Sequence, residues 1–372
     1  MKRFGGMLVA LWGLAACEPV TTPSSSGDFA VLARSAEGYE EAVRGGTLTF
    51  PQDHAAHPGY RIEWWYLTAN LEDGQGRPWG IQWTLFRTAT RPAGADPASN
   101  PWQDRQVYMA HMAVTSPDSH RAFQRYARGG EHGGLAQAGA EAAPFAAWLD
   151  NWLLESTGTE FAPLSVTARQ GDTGFELQLD PAGPLVLQGD SGFSQKHPEG
   201  GGSWYYSLPY LEASGMVSFE GERVAVKGQA WLDREWSSQF LQPDQQGWDW
   251  LSLHLDSGEK LVLFQLRDAN GGEPFRHGVL FDAAGRQQVL DTDAIEWAPV
   301  DRVRAGGRDL PLAWRVSLPE VGRQFTVSAL HPDQWMDVDF PYWEGVVTAN
   351  GEGAANSGRG YLELTGYPLV SD

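Results

Sequence analysis

From residue 45 onward, apolar positions recur mostly at every second residue, in short runs broken by Gly, Asp, Asn and Pro. Gly80-Ile81-Gln82-Trp83-Thr84-Leu85, Phe175-Glu176-Leu177-Gln178-Leu179 and Lys260-Leu261-Val262-Leu263-Phe264 are examples. Successive side chains on a strand point to opposite faces, so such runs at regular spacing predict an all-β protein, sandwich or barrel. One stretch fits two periods. Phe145, Trp148, Leu149, Trp152 and Leu153 suit one face of a helix and equally a tryptophan-rich strand.

The pattern also repeats. Trp64-Trp65-Tyr66-Leu67-Thr68-Ala69-Asn70-Leu71 matches Trp248-Asp249-Trp250-Leu251-Ser252-Leu253-His254-Leu255 at an offset of 184. Gly215, Val217, Gly221, Gly228, Trp231 and Asp233 match Gly345, Val347, Gly351, Gly358, Tyr361 and Glu363 at an offset of 130. Two related halves are therefore predicted, each a closed or nearly closed antiparallel barrel with a ligand-sized interior. The first half is longer by the 54 residues that separate the two offsets, and its Gly/Ala-rich segment at 129–147 reads as a rim loop.

The N-terminus carries its own message. Lys2 and Arg3 precede an apolar run, residues 7–16, too short to span a bilayer, which needs about 20 apolar residues. It ends in Leu14-Ala15-Ala16-Cys17, the pattern of a lipoprotein cleavage site, and Cys17 is the only cysteine. The expected organisation is a signal peptide at 1–16, a lipidated Cys17 with a flexible tether at 17–44, and barrels at 45–240 and 241–372. Glu18 is not the aspartate that retains lipoproteins at the inner membrane, which favours the periplasmic face of the outer membrane. A single cysteine leaves no internal disulfide. The net charge of −20 becomes −22 once Lys2 and Arg3 are removed, which disfavours nucleic acid and anionic membrane surfaces as partners. A neutral apolar ligand suits it.

Glu63-Trp64-Trp65-Tyr66, Ser203-Trp204-Tyr205-Tyr206-Ser207, Trp231-Leu232-Asp233-Arg234-Glu235-Trp236, Gly247-Trp248-Asp249-Trp250, Tyr342-Trp343-Glu344-Gly345 and Gly360-Tyr361-Leu362-Glu363-Leu364 occur in that order. With them the sequence resembles the lipocalin-like carotenoid 1,2-hydratase family, most closely its secreted branch, the lipocalin-like H component of the Att ABC transport system. The resemblance runs from about Gly45 to the C-terminus. It implies two tandem lipocalin-like barrels and either of two functions. One is a cofactor-independent hydro-lyase acting on an isoprenoid. The other is a non-catalytic lipoprotein carrying an apolar ligand beside an ABC transporter permease. Secreted members are often labelled hydrolases, for which the sequence offers no machinery.

Hydrating an alkene requires a protonated acid, a stabilised cation and a positioned water. Burial and a neighbouring carboxylate both keep a carboxyl protonated, and aromatic faces attract the cation. Trp231, Asp233 and Glu235 alternate on one predicted strand and so share a face. Asp233 is the candidate donor, at the position where the hydratases' motif carries its acid, although the flanking residues differ. Glu235 would tune it or hold the water. The competing reading is structural: Glu363 is repeat-equivalent to Asp233, so an acid there could pair with Arg87 or Arg267 in each barrel. Trp64, Tyr66, Trp204, Tyr206, Trp248 and Trp250 form either a ligand wall or plain core. His111 is a core histidine or a base at the same wall. His54 and His57 lack the spacing of a metal site, Gly189-Asp190-Ser191-Gly192 reads as a turn, and no cofactor is expected.

Overall fold

The structure, a computed structural model, describes residues 36–92, 105–129, 131–132 and 135–370. Cys17, the signal peptide and most of the tether lie outside the described residues. The first part of the chain folds as β1 (Ile62–Asp73), β2 (Pro78–Ala89), β3 (Gln106–Thr115), β4 (His120–Arg128), β5 (Glu131–His132) and β6 (Leu135–Ala136). It continues through β7 (Ala138–Ala142), β8 (Phe145–Leu149), β9 (Trp152–Ser156), β10 (Leu164–Gln170), β11 (Thr173–Pro181), β12 (Val186–Leu187) and β13 (Phe193–Gln195). Two long strands, β14 (Gly202–Phe219) and β15 (Glu222–Ser237), complete it. The second part comprises β16 (Gln245–Leu255), β17 (Lys260–Asp268), β18 (Phe275–Phe281), β19 (Gln287–Leu290), β20 (Glu296–Ala305) and β21 (Arg308–Leu318). It ends with β22 (Arg323–Ala329), β23 (Trp335–Met336), β24 (Tyr342–Asn350) and β25 (Gly358–Leu364).

Two antiparallel sheets result. The first runs β4-β3-β2-β1-β15-β14-β11-β10-β9-β8-β7, the second β19-β18-β17-β16-β25-β24-β22-β21-β20. Strand for strand the second order repeats the first, lacking counterparts only for β8 and β7. Each sheet curls into a near-barrel, the two-domain lipocalin-like all-β fold. The segment expected as a rim loop thus supplies β7 and part of β8, and the stretch with two periods is the β8–β9 hairpin, turned at Asp150 with φ 53°.

Registers test the repeat at single-residue level. Tyr66 faces Asp233 across β1 and β15, and Trp250 faces Glu363 across β16 and β25, so both offsets hold there. The remaining pair behaves otherwise. Ser207 faces Asp233 and Glu344 faces Glu363, which relates β24 to β14 by 137 rather than 130. Gly215 and Gly345 are therefore not equivalents. The β14–β15 hairpin is longer and carries an irregularity between Leu208 and Leu211 that β24 lacks.

Alternation of burial survives on outlying strands such as β10 and disappears on β1, β15 and β16, whose two faces are both covered. Inward residues of the first barrel, among them Trp65, Leu67, Trp83, Leu85, Leu232 and Trp236, form one closed core. The second barrel is filled in the same way by Leu251, Leu253, Leu263, Trp314, Trp343 and Leu362. Among the described residues these side chains fill both interiors, and the cavity lies between the barrels, which corrects the expectation of two hollow cups. A third cluster, including Tyr66, Trp231, Trp250, Phe264, Val346 and Tyr361, joins the outer faces of both sheets. Close approach of the barrels depends on Gly80: a Cβ there would stand 2.3 Å from Val346 Cγ2 and 2.4 Å from the Tyr361 hydroxyl. The tether also stops earlier than residue 44. Tyr39 donates to the Ala89 carbonyl at 3.0 Å, and Arg44 pairs with Asp190 at 2.8 Å, on the first barrel.

Candidate functional site

A cavity of about 370 Å³ opens between the two barrels. Its walls follow from strand alternation. Ile62, Trp64 and Tyr66 project outward from β1 while Trp65 and Leu67 fill the barrel, and Trp248 and Trp250 project from β16 in the same sense. Phe86, Met109, Phe240, Phe264, Leu266 and Phe340 make the rest of the lining largely apolar. Trp64 meets Phe240 edge to face at 4.9 Å, and Phe240 meets Trp248 at 5.1 Å.

Acids are set into this greasy surface. Asp233 is buried on the first barrel's wall, and three donors reach it: Trp231 Nε1 to Oδ1 at 2.7 Å, the Tyr205 hydroxyl to Oδ2 at 2.8 Å, and the Ser207 hydroxyl to Oδ1. Burial nevertheless dominates over those donors and, with Glu235 nearby, pushes the carboxyl up to about 7. Glu235, one face-sharing step along β15, accepts from Ser203 and pairs with Lys196 Nζ at 2.8 Å. That ammonium is itself buried, 4.1 Å from the Phe264 ring centroid and 5.3 Å from that of Phe240.

The second barrel supplies the opposite wall. Glu363 accepts the Trp248 indole N–H at 2.8 Å and is pushed up to about 8, first by burial and then by Glu235 and Asp233. By surface it is half-buried, yet what it exposes is cavity wall. Glu344, its neighbour across the ladder, is buried and raised well above the usual carboxylate range by burial and by Glu363. The walls interlock, each barrel reaching into the other. Trp250 of the second barrel reaches Tyr205 of the first, while its repeat-equivalent Tyr66 points toward Glu344.

The arginine pairing that the structural reading offered for Asp233 does not occur among the described residues. Arg87 pairs with Glu63 inside the first barrel, and Arg267 with Asp249 inside the second, so neither meets Asp233 or Glu363. Of the expected wall, Trp64, Tyr66, Trp248 and Trp250 line the cavity. Trp204 and Tyr206 do not: they sit on the inward face of β14 in the barrel core, and the intervening Tyr205 faces the cavity instead. Trp231 supports Asp233 from behind. His111 is buried where β3 meets the second barrel, Nδ1 3.0 Å from the Tyr342 hydroxyl, and burial lowers it to about 3, keeping it neutral. His54 stacks on Phe161 at 3.5 Å, and His57 lies between Asp53 and Glu63, so the loop histidine has carboxylate partners that its sequence neighbours did not reveal. Lys196, Ser207 and Glu344 escaped the sequence reading. Ser207 and Glu344 were inside quoted motifs, and an outward position beside an acid was the available signal; Lys196 had none.

Residues 41–367 match the protein family described as AttH-like. A crystal structure from Nitrosomonas europaea described as an AttH is similar, with 36% identity and a TM-score of 0.77 over 88% of this chain and 99% of that one. Kievitone hydratase from Nectria haematococca shares the fold at 16% identity and a TM-score of 0.62, covering 89% of this chain and 99% of that one. CghA, solved with Sch210972, shares it at 11% identity and a TM-score of 0.53, covering 91% and 99%. No curated protein matches the chain.

Proposed function

The chain belongs to the AttH-like family, and from that premise we propose that its interdomain cavity binds an apolar, unsaturated ligand and hydrates one carbon–carbon double bond by acid catalysis from Asp233. One observation carries the reading: a buried carboxyl with no basic partner among the described residues, raised to about 7, faces an aromatic cavity. The hydratase among the proteins of the same fold is consistent with it.

The steps balance without a cofactor. The π electrons of the alkene take the Asp233 proton and form a C–H bond at the less substituted carbon. The cation left at the more substituted carbon faces Trp64, Trp248 and Phe240, whose ring faces stabilise positive charge by about 1–2 kcal/mol each when water is excluded. Water held by the Lys196-paired Glu235 carboxylate attacks, the C–O bond forms, and the released proton passes to Glu235. Glu235 returns it to Asp233, so that alkene plus water gives an alcohol.

The test uses isotopically labelled water and a panel of isoprenoid alkenes. Wild-type protein should place one labelled oxygen in the product, and Asp233→Asn should bind the same alkene without turnover. Labelled product from Asp233→Asn at the wild-type rate defeats the mechanism, whereas tight binding without turnover by the wild type identifies a carrier. Acylation of Cys17 would hold the cavity at a membrane where such ligands dissolve. Release of Cys17→Ala from the membrane fraction checks that part.

A further inference from the structure

We infer that the wall supplied by the second barrel is a subsite for a neutral oxygen of the ligand, a hydroxyl or a carbonyl, held by a proton that Glu344 and Glu363 share. The inference rests on the cavity binding an apolar ligand and specifies its class: an oxygenated one rather than a pure hydrocarbon.

Four observations converge. Glu344 and Glu363 are directly paired across β24 and β25, which puts their Cβ atoms about 5 Å apart on the same face. No Lys, Arg or His among the described residues pairs with either, and two buried carboxyls that close cannot both ionise. One proton therefore stays on the pair. The Tyr66 and Tyr342 hydroxyls lie against the buried Glu344 carboxyl, yet among the described residues neither Glu344 oxygen nor the Tyr66 hydroxyl, which lines the cavity, makes a well-formed hydrogen bond. Unpartnered buried polar atoms are costly, and a ligand oxygen reaching this wall would satisfy the Tyr66 hydroxyl and the shared proton together.

Charge selects a neutral group. A ligand carboxylate at this wall would face Glu363, which lines the cavity, with Glu344 beside it in the ladder. An amine would compete with Lys196, whose ammonium already occupies the box of Tyr205, Phe240 and Phe264. With its oxygen on the second barrel, the ligand's apolar body lies against the tryptophans, and the anchor sets which double bond meets Asp233 on the other wall. Glu363 and Tyr66 are thus specificity-determining residues, distinct from the proton donor.

The test compares farnesol with farnesene, the corresponding hydrocarbon, by titration calorimetry. Wild type should bind farnesol about tenfold more tightly, the worth of one good buried hydrogen bond. Glu363→Leu should erase that preference, while Asp233→Asn should keep it. A second readout needs no variant of Glu363. Infrared difference spectra at pH 7 should show a protonated carboxyl band that persists in Asp233→Asn and shifts on adding farnesol but not farnesene. Equal binding of the two probes by the wild type overturns this inference and leaves the apolar cavity standing, as does the absence of that band in Asp233→Asn. If neither probe binds, the cavity reading itself fails and carries the subsite with it.

Discussion

Trp250, on the second barrel, donates its indole N–H to the Tyr205 hydroxyl of the first at 3.3 Å, and Tyr205 in turn donates to Asp233 at 2.8 Å. The candidate acid of one barrel is therefore positioned from the other. A hydroxyl that accepts a hydrogen bond donates a stronger one, since hydrogen bonds in a chain polarise each other. Trp250→Phe keeps the ring packed against Tyr66 at 5.3 Å but removes that donor. Tyr205 then donates less strongly, the Asp233 carboxylate is less stabilised, and the basic limb of the pH–rate profile should move upward. Turnover should fall several-fold while unfolding midpoints change little. An unmoved limb would make Trp250 a packing residue only.

Proton donation itself has a pH signature. Asp233 is the competent acid only while protonated, and burial places its titration at about 7. kcat/KM should be flat through mildly acidic pH and fall about tenfold per pH unit well above 7. The profile is to be measured with the alkene that the labelled-water panel identifies. A rate rising through the same range would assign Asp233 the role of base.

The same carboxyl ties stability to pH. Its pKa is 3.8 in an unfolded chain and about 7 when folded, so between those values the native state binds the extra proton. Stability is therefore greatest at the acid end of that window and falls as pH rises through 7, by an amount on the order of 4 kcal/mol for Asp233. Glu63 acts oppositely: Arg234 and Arg87 hold it well below its ordinary 4.5, and its contribution is lost as pH falls below that value. Urea unfolding across pH should peak near pH 5, and Asp233→Asn should make the neutral limb shallower without removing the share of the other raised carboxyls, Glu363 and Glu344.

The all-β character, the duplication and the shared face of Asp233 and Glu235 were legible because strand alternation and repeat offsets depend only on spacing. What the sequence could not tell was which face looked inward. Trp64-Trp65-Tyr66-Leu67 is apolar throughout because β1 is covered on both sides, and a continuous apolar run carries no phase. The same lack of phase leaves Trp204 and Tyr206 open between ligand wall and core in the sequence, and the ladder puts them in the core and turns Tyr205 to the cavity. Lys196 lies just past β13, outside the motifs that repeat, so nothing in spacing tied it to Glu235.

Adjacent indoles settle which face matters. Trp64 lines the cavity, whereas Trp65 is 1% exposed in the barrel core and donates to the His54 carbonyl at 3.0 Å. Trp64→Ala should weaken farnesol binding at least tenfold with a small loss of stability. Trp65→Ala should cost about 3–5 kcal/mol, as a buried aromatic does, yet leave the affinity of the folded fraction intact. Calorimetry paired with urea unfolding reads both, and the reverse pattern would put the ligand inside the barrel.

Beneath the site, one carboxylate holds two arginines. Glu63 accepts from Arg87 through Oε1 and from Arg234 through Oε2, and takes the His57 backbone N–H at 2.8 Å. All three charged side chains are buried. Arg234 neighbours Asp233 and Glu235 on β15 and lies over the Trp65 ring at 3.8 Å, so this cluster fixes the strand from its inner face. Glu63→Gln preserves shape but strands two guanidinium groups in the core without a counter-charge, which costs about 3–5 kcal/mol. The double variant Glu63→Gln/Arg87→Met removes one of the stranded charges and should recover part of that loss. A Glu63→Gln protein as stable as wild type at pH 7 would mean that the backbone carbonyls of His57, Tyr60 and Ala55, which already accept from these arginines, suffice to hold them.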